Sequence, residues 1–153
     1  MNNQETFRSA EIISPGVISL RRIEKRKPKD YEVLIRIKSS AVCGSDVHIF
    51  TGKHPYTKLP SAIGHEISGL VEEIGKEVKT VKVGNRVCVE PLITCNNCYY
   101  CKRGKYNYCE KLKLKYRSGY SGYAEYYYAE ERWIHHLPNN ISFDEGALIE
   151  PLA

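Results

Sequence analysis

The chain has 153 residues, 42% of them hydrophobic and 27% charged, which is the make-up of one ordinary globular domain with enough apolar mass for a core. Its net charge of +5 is mild and its apolar runs span only a few residues, which argues against collagen, coiled coil, wholesale disorder or a membrane-spanning helix. The opening MNNQETFRSA has no apolar signal core, and six cysteines without an export signal point to a reducing compartment and to metal rather than disulfides, so a cytoplasmic protein is expected.

Residues 1–90 read as short strands separated by turns. The run RRIEKRKPKD (21–30) is basic and is expected to be solvated surface. In YEVLIRIKS (31–39), Val33, Ile35 and Ile37 alternate with Leu34, Arg36 and Lys38, so the pattern predicts a strand with one apolar face. SDVHIF (45–50) has room for one or two helical turns, and SGLVEEIG (68–75) and RVCVEP (86–91) are further candidate strands. Gly75, Gly84 and Asn85 punctuate them as turns.

Residues 92–120 differ in kind: cysteine-rich, weakly periodic and full of tyrosine, they read as an excursion that metal shapes. A second basic run lies here, with Lys102, Arg103, Lys105, Lys111, Lys113, Lys115 and Arg117 against Glu110 alone. Strand character returns in YAEYYYAE (123–130) and RWIHHLP (132–138). Ser142 and Glu145 form an S-x-x-E capping box that opens a helix running toward Glu150. So little helix remains after Glu150 that a further element is expected to follow Ala153.

Cys95, Cys98, Cys101 and Cys109 lie as C-x2-C-x2-C-x7-C. Steps of three let three sulfurs wrap one ion, and Gly104 lets the chain turn back to deliver the fourth. Four thiolates at ~2.3 Å close a tetrahedron and leave no position for substrate, so this zinc is expected to be structural, in a lobe of about residues 92–112. Cys43, His65, Glu66 and Glu150 are dispersed and mix sulfur, nitrogen and oxygen, which suits a zinc that keeps a position open for chemistry.

These residues carry a family resemblance. Gly64-His65-Glu66-x2-Gly69-x5-Gly75-x2-Val78-x5-Gly84-Asn85-Arg86-Val87 resembles the zinc signature of medium-chain zinc-dependent alcohol dehydrogenases, with Asn85 where the family usually has Asp. Cys43-Gly44-Ser45-Asp46-x-His48 resembles the family's first ligand segment, the four-cysteine loop its structural-zinc lobe, and Gly122-Tyr123-Ala124-Glu125-Tyr126 the strand that follows. Glu150 in Glu-Pro-Leu, where classical members have cysteine, is similar to the sorbitol and other polyol dehydrogenases; Ile49 stands where those enzymes often carry an aromatic residue near the substrate.

The resemblance implies a mainly β, GroES-like partial barrel with short peripheral helices and a zinc lobe, spanning 1–153 as one catalytic domain. It implies two zincs, with Cys43 and His65 as ligands of the catalytic one. Glu66 and Glu150 then bind that ion directly, through water or by exchange. The substrate would be a polyol, sugar alcohol or secondary alcohol, with hydride passing to NAD or NADP. Ser45 would receive the alcohol proton and His48 pass it to solvent, while Asp46 orients the His65 ring.

A nicotinamide site needs G-x-G-x-x-G between a strand and a helix, and no such string is present; Gly119 and Gly122 are the nearest pair. The cofactor-binding domain is therefore expected to lie outside this chain, which alone should show little activity, and the full-length protein is expected to be a homo-oligomer. Two other readings stand beside this one. The basic, tyrosine-rich stretch 99–128 would suit a zinc-stabilised nucleic-acid module, which leaves Gly64-His65-Glu66 and Glu150 unexplained. A non-catalytic GroES-like assembly domain would keep both metal sites. Cys88 is expected in the core, and the ten tyrosines from Tyr99 to Tyr128 in lobe packing or a subunit contact. His54, His135 and His136 are assigned no role.

Overall fold

The computed structural model describes residues 5–114 and 121–153. Lys115, Arg117 and Gly119 lie outside them. The architecture is mainly antiparallel β. A three-stranded sheet has the order β2-β1-β4, built from β1 (Thr6–Ser14), β2 (Val17–Glu24) and β4 (Ser61–Ala62). A five-stranded sheet has the order β10-β6-β5-β3-β9. Its strands are β3 (Glu32–Ser40), β5 (Ile67–Ile74), β6 (Arg86–Val89), β9 (Tyr126–Glu130) and β10 (Ile134–His136). The two sheets meet at residues 123–125, which bond β1 on one side (Ala10 N–H to the Tyr123 carbonyl, 2.9 Å) and β3 on the other (Ile37 N–H to the Glu125 carbonyl, 3.0 Å). Curling one sheet onto the other in this way gives the partial barrel that the resemblance implies.

The three strands read from the sequence across 31–91 appear within a residue or two at each end. One detail differs. Val33 and Ile35 enter the main core with Val71, Val87 and Tyr127, but Leu34, on the opposite face, is also fully buried, against Phe7 and Tyr128. β3 is covered on both faces at its start because β1 and the 123–125 strap close over it, so strict alternation holds only from Arg36 onward. Strand character at 123–138 is interrupted: β9 begins at Tyr126, and a 3-10 turn at Glu131–Trp133 separates it from β10. The hairpin β1–β2 hides in a charge-rich sequence because β2 is an exposed edge; Arg21 pairs with Glu11, and Lys25 lies near Glu5, Glu72 and Glu73.

Among the described residues, three short α-helices complete the fold. Helix α1 (Gly44–Phe50) is fastened by Ile49, which is buried with Ile12 and Ile63, and by the Gly16 N–H, which donates to the Phe50 carbonyl at 2.7 Å. Ile49 is thus a core residue. The Ser142 capping box forms as read: Ser142 Oγ accepts from the Glu145 N–H at 3.1 Å, and Glu145 Oε2 accepts from the Ser142 N–H at 2.7 Å. The helix it opens does not run through to Glu150. It stops as α2 (Phe143–Ala147) and restarts as α3 (Ile149–Leu152), because Pro151 has no N–H to give the Ala147 carbonyl four residues back. Among the described residues, no helix is long and apolar enough to cross a membrane.

Candidate metal centres

The four-cysteine lobe leaves and rejoins the barrel through a two-residue ladder between β7 (Leu92–Ile93) and β8 (Lys113–Leu114). Within it, 3-10 turns at Cys101–Arg103 and Tyr106–Tyr108 fold the chain back, with Gly104 at φ 72° making the left-handed corner. The ligand atoms of Cys95, Cys98, Cys101 and Cys109 all fall within 4.8 Å of one another. Peptide donors aim at the sulfurs: the N–H groups of Cys95 and Lys111 each lie 3.3 Å from Cys109 Sγ. Such donors favour thiolate. Those of Cys101 and Glu110 draw the Cys98 thiol down to about 6, and those of Cys95 and Lys111 lower Cys109. Cys101 is instead pushed up to about 12 by desolvation and by its sulfur neighbours. Four sulfurs this close cannot all ionise without a cation between them, so the donor set fits a soft divalent ion such as zinc. Around this set, Tyr99 stacks edge-on to Tyr100 and under Arg103, while Tyr106 meets Trp133. The tyrosines divide: these serve the lobe, whereas Tyr127 and Tyr128 are barrel core.

The second set assembles where β3 and β5 part. Cys43 stands at the entrance of α1, and His65 and Glu66 immediately precede β5. One ligand atom from each of these three lies within 4.8 Å of the others, and His65 and Glu66 are buried. Asp46 is buried as well, at 4% exposure. Among the described residues no lysine or arginine forms an ion pair with Glu66 or Asp46. Two buried carboxylates beside a thiol and an imidazole call for positive charge, and a divalent cation supplies it. The residues present therefore fit the metal.

The remaining sequence-read residues are placed as follows. Glu150 is not part of the 4.8 Å set. It lies in α3, half-buried, and burial raises its carboxyl above the ordinary range; the His65 imidazole acts to lower it, while Glu66 and Glu90 add to the rise. Ser45 is half-buried in the first turn of α1, and His48 is exposed one turn later on the same side. The recorded bonds of Asp46 run to backbone and to a phenol: Oδ2 accepts from the Cys43 N–H at 3.3 Å and from the Tyr123 hydroxyl at 2.7 Å, and Oδ1 from the Gly64 N–H at 3.1 Å. The sequence places Tyr123 in a strand and among the tyrosines expected in lobe packing or a subunit contact; nothing in its spacing signals this partner 77 residues away. Cys88 is buried as expected. His135 Nε2 sits 3.4 Å from Glu90, and His54 Nδ1 accepts from the Thr57 N–H at 3.1 Å.

Comparison with known proteins agrees with this architecture. The family model described as the alcohol dehydrogenase GroES-like domain matches residues 29–139. A probable D-xylulose reductase A from Aspergillus clavatus is 44% identical over 133 residues, covering 84% of this chain and 37% of the relative. The crystal structure of an Escherichia coli oxidoreductase/dehydrogenase of unknown specificity superposes with a TM-score of 0.87 at 34% identity, covering 97% of this chain and 45% of that one. A candidate zinc-binding dehydrogenase from Sinorhizobium meliloti, solved bound to NADP, gives a TM-score of 0.87 at 30% identity over 97% of this chain and 43% of its own. The chain thus spans about two fifths of the length of the proteins it matches. With the barrel, the cysteine lobe and these matches in agreement, the chain belongs to the alcohol dehydrogenase GroES-like domain family, in its zinc-type medium-chain alcohol and polyol dehydrogenase branch.

Proposed function

We propose that this chain is the zinc-bearing catalytic domain of an NAD(P)-linked dehydrogenase that oxidises a polyol, sugar alcohol or secondary alcohol. The observation that carries the reading is the convergence of Cys43, His65 and Glu66, gathered from two separate segments within 4.8 Å, with His65 and Glu66 buried and Cys43 partly so. The xylulose reductase relative favours a sugar alcohol, and the NADP-bound neighbour favours a nicotinamide partner. When bound, zinc supplies Lewis acidity toward the substrate hydroxyl, and a nicotinamide supplies the hydride acceptor.

The chain's own residues do the rest. Cys43, His65 and Glu66 would hold the ion, and Glu150 would offer a further oxygen from α3, directly or through water. Ser45 accepts the hydroxyl proton at the half-buried end of α1, and His48, exposed one turn on, releases it to solvent. The four-cysteine lobe holds a second, structural zinc.

Metal analysis tests this directly: two zincs per chain, one of them lost in Cys43→Ala, is the expected result. NAD(P)-dependent oxidation of sugar alcohols should be weak for the 153-residue chain and strong when the chain is joined to a dinucleotide-binding domain. A single zinc together with tight, salt-sensitive nucleic-acid binding would overturn the reading.

A further inference from the structure

We propose that Tyr123 is a positioning residue for the dispersed metal set: through Asp46, its hydroxyl holds the two ligand-bearing segments at one fixed separation. The inference rests on reading Cys43, His65 and Glu66 as metal ligands. The β3–β5 ladder keeps these segments in register only as far as Ser40 opposite Ile67, with one more bond from the Ala41 N–H to the Glu66 carbonyl at 2.9 Å. Beyond that point the segments part. Cys43 turns into α1, and Gly64 takes a φ of +81°. No ladder bond is left to set the distance from Cys43 to His65.

Asp46 spans the gap. Its two oxygens take the N–H of Cys43 and the N–H of Gly64, the residue before His65. A carboxylate can do this only if its own rotamer is fixed, and Tyr123 supplies the fixing bond, the shortest of the three at 2.7 Å; the same phenol also lies 3.1 Å from the Ala41 carbonyl, its longer, second acceptor. The same ring also backs Gly64: a Cβ there would stand 3.0 Å from Tyr123 Cγ and Cδ1.

Tyr123 is itself pinned. Its N–H donates to Ser121 Oγ at 3.0 Å, and that hydroxyl donates to the Ile63 carbonyl at 2.7 Å. The Gly122 N–H reaches the carbonyls of Ile63 and Gly64, both at 3.0 Å. Its own Cβ would meet the Gly64 carbonyl carbon at 2.6 Å, so only glycine lets the strap lie this close. A third element, Ser121–Tyr123, therefore clamps both ligand segments.

The test is a cobalt(II) titration of the 153-residue chain, with a competing chelator. The tetrahedral d–d and sulfur-to-cobalt bands of the two sites are followed separately. Tyr123→Phe keeps the ring and removes only the hydroxyl. It should bind cobalt at the dispersed site about 10- to 100-fold more weakly, with altered d–d bands, while the four-thiolate site keeps wild-type affinity. Asp46→Asn should show the same selective loss. In that background Tyr123→Phe should cost clearly less than it does in wild type, because the hydroxyl's shorter bond acts through the carboxylate and only the longer one to the Ala41 carbonyl is left to lose. Equal cobalt affinity in Tyr123→Phe and wild type overturns the proposal. So do additive losses in the double variant, or a Tyr123→Phe chain that also loses the four-thiolate ion. A wild-type chain that takes up only the four-thiolate cobalt refutes the metal reading itself, a separate outcome.

Discussion

The backbone N–H of Cys95 points at the sulfur of Cys109 from 3.3 Å, so the first and last cysteines of the lobe are already in contact before any ion is considered. The sulfurs of that pair lie 3.5 Å apart, and Cys101 Sγ lies 4.0 Å from Cys95 Sγ. What such a cluster lacks in apolar packing, metal binding supplies.

Cys109→Ser should therefore release one zinc and loosen the lobe without unfolding the barrel. Limited proteolysis should then cut between Leu92 and Leu114, while the far-ultraviolet signal of the β-sheets persists. Simultaneous loss of both would show that the barrel depends on the lobe.

Gly64 has a φ of +81° and a virtual Cβ only 3.0 Å from the Tyr123 ring. Gly64→Ala should cost about 1–3 kcal/mol in urea unfolding from backbone strain alone. It should also weaken the dispersed metal site, since the forced shift falls one residue from His65. Metal competition on the same samples reads the second effect.

Ile49 ties the helix that begins beside Cys43 to Ile12 and Ile63, and it is 1% exposed. Ile49→Ala should destabilise by about 2–5 kcal/mol. Exposed Val47, on the same helix, is the control: Val47→Ala should leave stability nearly unchanged.

Glu131 Oε1 accepts the N–H groups of both Thr80 and Lys79, which hold its carboxyl below the ordinary 4.5, the Thr80 bond contributing most. The folded value is the lower one, so the contribution is complete above the ordinary value and is lost as pH falls through the depressed one. Wild type should exceed Glu131→Gln in urea midpoint at neutral pH, and the difference should shrink as acid is added. A difference that does not change with pH would contradict this origin.

Much of the site was legible because metal chemistry leaves a mark in spacing. Cys95, Cys98, Cys101 and Cys109 announce themselves, and Gly64-His65-Glu66 does so within its glycine frame. The Ser142 capping box was legible for the same reason: its bonds are local. What escaped was made by long-range closure. The burial of Leu34 on the second face of β3 depends on Phe7 and Tyr128, which approach from distant strands. The bond from Tyr123 to Asp46 exists only because the strap at 121–123 crosses over the ligand segments. The break at Leu148 is local and follows from Pro151, whereas the capping box fixes only where the helix starts.

Leu92 and Leu114 face each other directly in the β7–β8 ladder. The chain between them leaves and returns through one ladder, like a pendant on a clasp, and leans back on the barrel where Tyr106 meets Trp133. Lengthening, shortening or exchanging that pendant would move neither neighbour of the clasp. An altered lobe would leave the segments that carry Cys43 and His65, held by α1 and β5, where they are.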